Sequence, residues 1–487
     1  MSLFDELLET QTTTEFSTSS LSEKCGVFGI ASPKTLPMGA LLYYGLYALQ
    51  HRGQESCGMA VFDSDQLLLH KNMGLVNQVF TQSIVDEMRG QIAIGHTRYS
   101  TTGASSLVNA QPVVGRSAYG ALVIAHNGNL INLHKLRERF RPVEISGFAS
   151  ESDTHVLIRC LAEALRETHG SLSEAAMRVL NVAEGAFSVV VAVGDQMIAA
   201  RDRYGIRPLC MGRLDDETIV VASETSALDI VGAAYIRDLE PGEVLLVRRD
   251  GTMESRFMSG VRENRFCIFE YIYFSRPDSR LMGQTVYDYR LNIGRLLAKA
   301  MPVEADMVIP VPDSGCPAAV GYSQASGIPY VEGLIKNRYV GRTFIAPTQS
   351  GREQGLRLKL NPLTDIIRNK RVIVVDDSIV RGNTSRRLVS MLRQAGVKEL
   401  HLRVSSAPVR HPCYYGIDMS TEEQLIANRM DLETLRQWLD VDTLAYLSLE
   451  DMKAAATADF QPCMACFDND YPAGRPENPM ETSCCGS

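Results

Sequence analysis

The 487-residue chain carries no surplus of positive charge: 49 lysines and arginines stand against 57 aspartates and glutamates, a formal net charge of −8. That balance speaks against a general nucleic-acid binder, whose phosphate contacts require a basic excess. Long apolar runs are missing too. The best of them, residues 185–200, falls short of the ~20 residues a spanning helix needs and is broken by Asp195. Residues 1–24 lack both a basic start and an apolar block, so they do not read as a secretory signal. Eleven cysteines are too few for a disulfide scaffold, and no internal repeat is visible. These absences set the expectation of a soluble, cytoplasmic protein with neither membrane nor nucleic acid as partner. Each cysteine is then core filler, metal ligand or nucleophile.

What is present fits an ordinary folded chain: 45% apolar and 22% charged residues, and a length of about three domains or two large ones at ~150 residues each. Residues 1–24 are Thr/Ser-rich with no periodic apolar face and read as a disordered leader. From Cys25 onward short strands are expected at residues 26–30, 59–62, 92–95, 122–125, 187–193, 218–222 and 243–247. Helices are expected at 38–49, 154–167 and 172–182. This half is α+β in character. The polar stretch 251–265 is taken as the domain junction. Beyond residue 286 the pattern turns to strand, loop and helix: 307–311 then 317–326, and 371–375 then 384–395, followed by a strand at 400–404. Buried strands followed by helices predict a parallel sheet with ligand loops at the strand carboxyl ends. Residues from 472 onward read as a flexible tail.

The most specific segment runs Val372-Ile373-Val374-Val375-Asp376-Asp377-Ser378-Ile379-Val380-Arg381-Gly382-Asn383-Thr384-Ser385. An apolar strand delivers two carboxylates to its carboxyl edge, and a small turn then opens a helix whose amides can hold a phosphate. Carboxylates placed there can take ribose hydroxyls and magnesium, which favours oxygen ligands and substrate phosphates. A buried strand with an acidic helix cap is the plainer alternative. The whole pattern resembles the phosphoribosyl pyrophosphate (PRPP) motif of type I phosphoribosyltransferases. The resemblance implies PRPP contacts from Asp376, Asp377, Ser378, Arg381, Gly382 and Thr384. Pro310-Val311-Pro312-Asp313-Ser314-Gly315 resembles that family's pyrophosphate loop, and Ser314 joins Asp376 and Asp377 as a magnesium ligand. Lys336, Arg338 and Arg342, in a basic stretch between the two loops, read as a flap closing over pyrophosphate, against the alternative of a solvated basic face.

Cys25-Gly26-Val27-Phe28-Gly29-Ile30 and Gln50-His51-Arg52-Gly53-Gln54-Glu55-Ser56 resemble the glutaminase domain of N-terminal-nucleophile amidotransferases. In that class the first residue of the mature chain is the nucleophile and its own α-amino group the base. The resemblance therefore implies removal of residues 1–24 as a propeptide. A cysteine opening an apolar strand is ordinarily packing. Here His96-Thr97-Arg98-Tyr99-Ser100-Thr101, Ala125-His126-Asn127-Gly128-Asn129-Leu130 and Ser150-Glu151-Ser152-Asp153-Thr154 follow in the family's order. By resemblance Arg98 grips the glutamine α-carboxylate, Thr101 lies in the same substrate site, and Asp153 pairs the ammonium. Asn127 and the Gly128 amide form the oxyanion hole.

Cys463-Met464-Ala465-Cys466 is a C-x-x-C, suited to zinc, an iron–sulfur centre or redox chemistry. Matches from Cys25 to Cys466 identify the chain as a member of the glutamine PRPP amidotransferase family. Similarity to that family's cluster-bearing branch implies Cys267, Cys413, Cys463 and Cys466 as ligands of one [4Fe–4S] cluster. Thiolates alone do not separate it from zinc. Cys57, Cys160, Cys210 and Cys316 read as packing.

The family implies an N-terminal-nucleophile hydrolase αββα sandwich over residues 25–260. It is followed by an α/β type I phosphoribosyltransferase domain over 261–471 and a tail over 472–487. It further implies one Mg2+ and one [4Fe–4S] cluster per subunit, a homo-oligomer (dimer or tetramer), and purine nucleotides as feedback inhibitors. The expected reaction converts glutamine, PRPP and water to 5-phosphoribosylamine, pyrophosphate and glutamate, in purine synthesis. A glutaminase with another sugar-phosphate acceptor and a non-catalytic PRPP-binding regulator are the rival classes.

Overall fold

The computed structural model describes residues 25–63, 66–99, 106–141, 152–214, 217–337, 360–417, 419, 421–457 and 461–477. The expected leader, Thr101, Arg338 and Arg342, and most of the expected tail lie outside them.

Thirteen strands build the first half: β1 (Gly26–Leu36), β2 (Ser56–Asp63), β3 (Gln66–Met73), β4 (Gly90–Arg98), β5 (Val113–Ser117), β6 (Gly120–Leu130), β7 (Gly185–Val193), β8 (Gln196–Arg201), β9 (Cys210–Leu214), β10 (Thr218–Ala222), β11 (Ala234–Asp238), β12 (Glu243–Arg248) and β13 (Met253–Phe257). They form two antiparallel sheets, ordered β11-β9-β10-β1-β4-β2-β3 and β13-β12-β8-β7-β6-β5. Alternation along each central strand splits its side chains between two cores. In β7, Val189 and Val191 face the helices Asp153–Glu167 and Leu172–Leu180, while Val190 and Ala192 face the other sheet. In β1, Phe28 and Ile30 pack on the helix Met38–Ala48, and Val27 and Ala31 point between the sheets. Both faces of these strands are covered, so they read as unbroken apolar runs. The result is the expected αββα sandwich.

The long apolar run at 185–200 is the β7–β8 hairpin, turned at Gly194 with φ of 55°. The expected junction needs a correction. Met253–Phe257 is not linker but the edge strand β13, paired with β12 from Val247↔Met253 to Glu243↔Phe257. This strand ends the sheet and none of its residues is buried, which is why its sequence looks polar.

The second half holds two short hairpins, β14 (Arg280–Leu281) with β15 (Gln284–Thr285), and one pairing residues Leu334–Lys336 with Leu360–Pro362. Its main sheet contains β16 (Met307–Pro310). After β17 (Leu334–Lys336) and β18 (Leu360–Pro362) come β19 (Arg371–Asp376), β20 (Glu399–Val404) and β21 (Thr443–Tyr446). The main sheet runs β16-β19-β20-β21 with every neighbour parallel, as expected. The helices Gly315–Ser326 and Asn383–Gln394 follow β16 and β19. Leu388 and Leu392 of the latter are buried against Val372 and Val374 of β19.

Candidate active sites

The antiparallel register Gly26↔Thr97 sets Cys25 beside the Arg98 end of β4. Cys25 is 8% exposed and its thiol donates to the Tyr99 carbonyl at 3.9 Å. A pocket between the ends of the two sheets is lined by Cys25, Arg98, Gly128 and Asp153, so four of the six expected glutaminase residues share one wall. Thr101 lies outside the described residues. Asn127 adjoins the pocket on β6. Its side-chain nitrogen is buried and has no partner among the described residues, a donor available to a developing oxyanion. Gly128 has φ of 139°, and a Cβ there would sit 2.0 Å from the Ala186 carbonyl oxygen of β7. No side chain fits, so the strand brings a bare backbone amide to the pocket.

Asp153 opens its helix. The amides of Thr154 at 2.7 Å and Leu130 at 3.4 Å donate to its carboxylate, and His126 Nδ1 lies 3.6 Å away. Burial alone would raise this carboxyl; His126 and the two amides outweigh it and hold it below its ordinary value. Arg98 is paired with Glu55 at 3.3 Å.

The sequence reading assigned no role to Gln111 or His126, both of which line the same pocket. The Gln111 amide donates to the His126 carbonyl at 3.4 Å and to Thr154 Oγ1 at 3.3 Å, and accepts from the His126 amide at 2.7 Å. It ties β6 to the start of the helix Asp153–Glu167. His126 stood inside a quoted motif and was within reach; Gln111, an isolated polar residue before Pro112, gave no signal.

At the other end of the chain, Pro310↔Val375 pairing makes the loops after β16 and β19 leave the same sheet edge side by side. Asp376 and Asp377 are buried there. The Ser314 hydroxyl donates to Asp377, as does Ser378 Oγ at 2.6 Å, and the Asp377 amide donates to Asp376 at 3.0 Å. Burial, and for Asp376 the neighbouring Asp377 charge, pushes both carboxyls up; Ser314, Ser378 and Arg290 partly offset this at Asp377. Two buried carboxylates beside a serine oxygen form a donor set that fits a divalent cation sharing substrate oxygens. Gly382 turns the chain at φ of 77° into the helix Asn383–Gln394, and Arg381 and Thr384 flank the turn. Lys336 is exposed and contacts the Asp313 carboxylate. Arg338 and Arg342 lie outside the described residues.

The four expected cluster cysteines meet from three separate segments. Cys267 and Cys463 pair in a parallel bridge, and the amides of Arg410 and His411 both donate to the Cys466 carbonyl at 3.0 Å, carrying Cys413 alongside. Burial raises the Cys463 and Cys466 thiols, and each feels the charge of the other three positions or of two of them. Among the described residues no three His, Cys, Asp or Glu groups are set to hold a metal ion, so these are neighbours rather than a closed ligand shell. Cys57, Cys160 and Cys210 are buried core residues, as expected, and Cys316 is partly exposed.

Comparison with known proteins follows the same division. The glutamine amidotransferase domain family matches residues 81–236, and the phosphoribosyl transferase domain family matches 290–415. The amidophosphoribosyltransferase of Synechocystis sp. is 50% identical over 458 residues, covering 93% of this chain and 92% of its own. That of Bacillus subtilis is 46% identical over 458 residues, covering 93% and 94%. Among solved structures, the glutamine PRPP amidotransferase of B. subtilis complexed with ADP and GMP aligns with a TM-score of 0.84 at 46% identity, over 92% of this chain and 97% of that one. Another, described as the allosteric regulatory enzyme of purine biosynthesis, aligns with a TM-score of 0.85 at 46% identity, covering 92% and 96%.

Proposed function

Because this chain belongs to the amidophosphoribosyltransferase family, we propose that Cys25 is its glutaminase nucleophile and the Asp376–Thr384 turn its PRPP site. The enzyme uses glutamine to convert PRPP to 5-phosphoribosylamine, with release of pyrophosphate and glutamate. One observation carries the assignment of residues: a single pocket gathers Cys25, Arg98, Gly128 and Asp153 from both sheets. Arg98 and Asp153 hold the two charges of the amino acid. Sγ attacks the amide carbon, the Asn127 amide and the Gly128 N–H take the oxyanion, and the α-amino group of Cys25 passes the thiol proton to departing ammonia. A thioester remains for water to open. That step demands a free amine at residue 25, hence loss of residues 1–24. Ammonia then moves through the protein to C1 of PRPP, sheltered from protonation.

Ser314, Asp376 and Asp377 would hold magnesium, which when bound neutralises charge on the leaving pyrophosphate. The backbone around Gly382 and the start of its helix receive the 5-phosphate. Lys336, with Arg338 and Arg342, closes over pyrophosphate. Cys267, Cys413, Cys463 and Cys466 would hold a [4Fe–4S] cluster in a structural role; a set of four thiols suits zinc as well, and the resemblance to the cluster-bearing branch is what favours the cluster. The domains are taken as 25–260 and 261–471. A homo-oligomer and feedback inhibition by purine nucleotides are proposed from the family resemblance; the relative crystallised with ADP and GMP supports nucleotide binding. No helix among the described residues is long and apolar enough to cross a membrane, and a cytoplasmic site of action is proposed.

The test is Cys25→Ser. Glutamine-dependent synthesis should vanish while synthesis from high ammonia persists; loss of both in a folded variant overturns the assignment. Intact-mass analysis should find a chain beginning at Cys25, and an active chain beginning at Met1 would reject the mechanism. Iron and sulfide analysis with the visible spectrum decides the cluster, stoichiometric zinc counting against it.

A further inference from the structure

A buried charged assembly among the described residues plays no part in the mechanism above. Arg52, Arg207, Glu224 and Glu270 are all 2% exposed or less. Arg52 forks onto Glu270, Nη1 to Oε2 and Nη2 to Oε1, both at 3.0 Å, and reaches Glu224 at 2.6 Å. Its Nε–H donates to the backbone carbonyl of Cys25 at 3.2 Å. The other side of Glu270 is held by Arg207 at 3.4 Å and by the Ser275 hydroxyl at 2.9 Å. Arg207 in turn donates to the Tyr415 carbonyl at 3.0 Å. Glu270 lies beyond the stretch that matches the glutamine amidotransferase domain.

Burying two arginines and two glutamates is a poor route to stability, since well-packed apolar side chains in their place are often as good or better. What the ions give is direction. A planar guanidinium locked by a two-pronged carboxylate has one orientation, and its third edge then has a fixed aim. The aim here is the carbonyl of the residue whose sulfur does the chemistry. Once a chain starts at Cys25, that residue has a peptide bond on one side only, and its carbonyl is the nearest backbone handle by which amine and thiol can be fixed together. Small errors in such placement are costly to rate.

We propose that Glu270 is a positioning residue for the glutaminase half-reaction: it orients Arg52, and Arg52 holds the Cys25 carbonyl. The proposal rests on the reading of Cys25 as nucleophile. The glutaminase centre is thus completed by a side chain from the segment that leads into the phosphoribosyl half. Substrate recognition by Arg98 and Asp153 is independent of this clamp, so the effect belongs in turnover.

The experiment uses the full mature enzyme with Glu270→Gln, which keeps the shape but gives up the charge and one acceptor. Glutamine hydrolysis should lose at least about tenfold in kcat with KM for glutamine changed less than about threefold, while synthesis from ammonia stays within about twofold. Alkylation of Cys25 by iodoacetamide, read by peptide mass, should slow as well. Arg52→Lys, which keeps the charge but has neither fork nor Nε, should reproduce the defect. Should Glu270→Gln fail to fold, Glu270→Asp carries the same test. Unchanged kcat, or equal loss of glutamine and ammonia activities, overturns the proposal. If wild-type enzyme alkylated at Cys25 still hydrolyses glutamine, the nucleophile assignment fails instead, and the two failures are told apart.

Discussion

Asp376 and Asp377 sit where burial opposes ionisation, and they keep that position against their own stability. In the metal-free protein the pair's raised values mean that folding takes up proton. For a carboxyl whose folded value is raised, the associated stability is full below the unfolded value near 3.8 and is lost as pH rises through the folded one. Asp376→Asn removes one of the two charges. It should therefore stabilise the metal-free enzyme by about 0.5–2 kcal/mol at neutral pH, with a margin over wild type that shrinks toward pH 5. Magnesium should close the margin from the wild-type side, and the variant should make no product from either nitrogen source. Urea titrations at three pH values, with and without magnesium, would measure this; a variant less stable than wild type at pH 8 would refute it. The carboxylate pair was legible in sequence because an apolar strand ended on it. Arg52 stands inside the Gln50–Ser56 motif without a role of its own there, and Glu270 reads in sequence as surface; only the tertiary fold shows that each is the other's counter-ion.

At the scale of elements, strands covered on both faces declared themselves by composition. Thr218–Ala222 is found as expected, and the helices starting at Asp153 and Leu172 begin within one residue of expectation. Half-covered or short strands such as β3, β5 and β13 went unread, because one wet face dilutes the apolar signal. The turn into the helix Asn383–Gln394 is fixed by one glycine. Gly382 abuts the sole tryptophan of the chain: a Cβ there would lie 3.0 Å from the Trp438 ring, which also carries Arg386 over its face at 4.6 Å. With φ of 77° an alanine is strained as well as crowded. Gly382→Ala should raise KM for PRPP by about tenfold, roughly 1.4 kcal/mol, and leave glutamine hydrolysis measured in its own right less affected. Trp438 fluorescence should respond to PRPP with magnesium in wild type and respond weakly in the variant. An unchanged KM would mean that the turn does not carry the phosphate.

The whole molecule is less divided than its two-part sequence implies. One core cluster joins Ile131, Ala186 and Ile206 of the sandwich to residues from Phe266 to Phe467. The Asn129 amide donates to the Tyr414 carbonyl at 2.9 Å, and a Cβ on Gly416 would come within 3.0–3.2 Å of the Gly128 backbone. Strand β6 is thus backed by the second half. Arg52 and Arg207 of the first half also pair with Glu270 of the second, in contacts buried from solvent. Two domains of this size would ordinarily unfold in separate steps; here the shared core and shared ions should merge them. Trp438 lies only in the phosphoribosyl half, so its fluorescence follows that half, whereas far-ultraviolet circular dichroism follows both. Urea transitions by the two signals should coincide, with midpoints agreeing within about 0.3 M and a single slope in the range set by the total surface exposed. A sandwich that persists after the tryptophan signal is complete would show that the common core does not couple the halves. Glutaminase activity, followed along the same titration, should disappear with the tryptophan transition rather than after it, because the Arg52 and Gly128 supports leave with the second half.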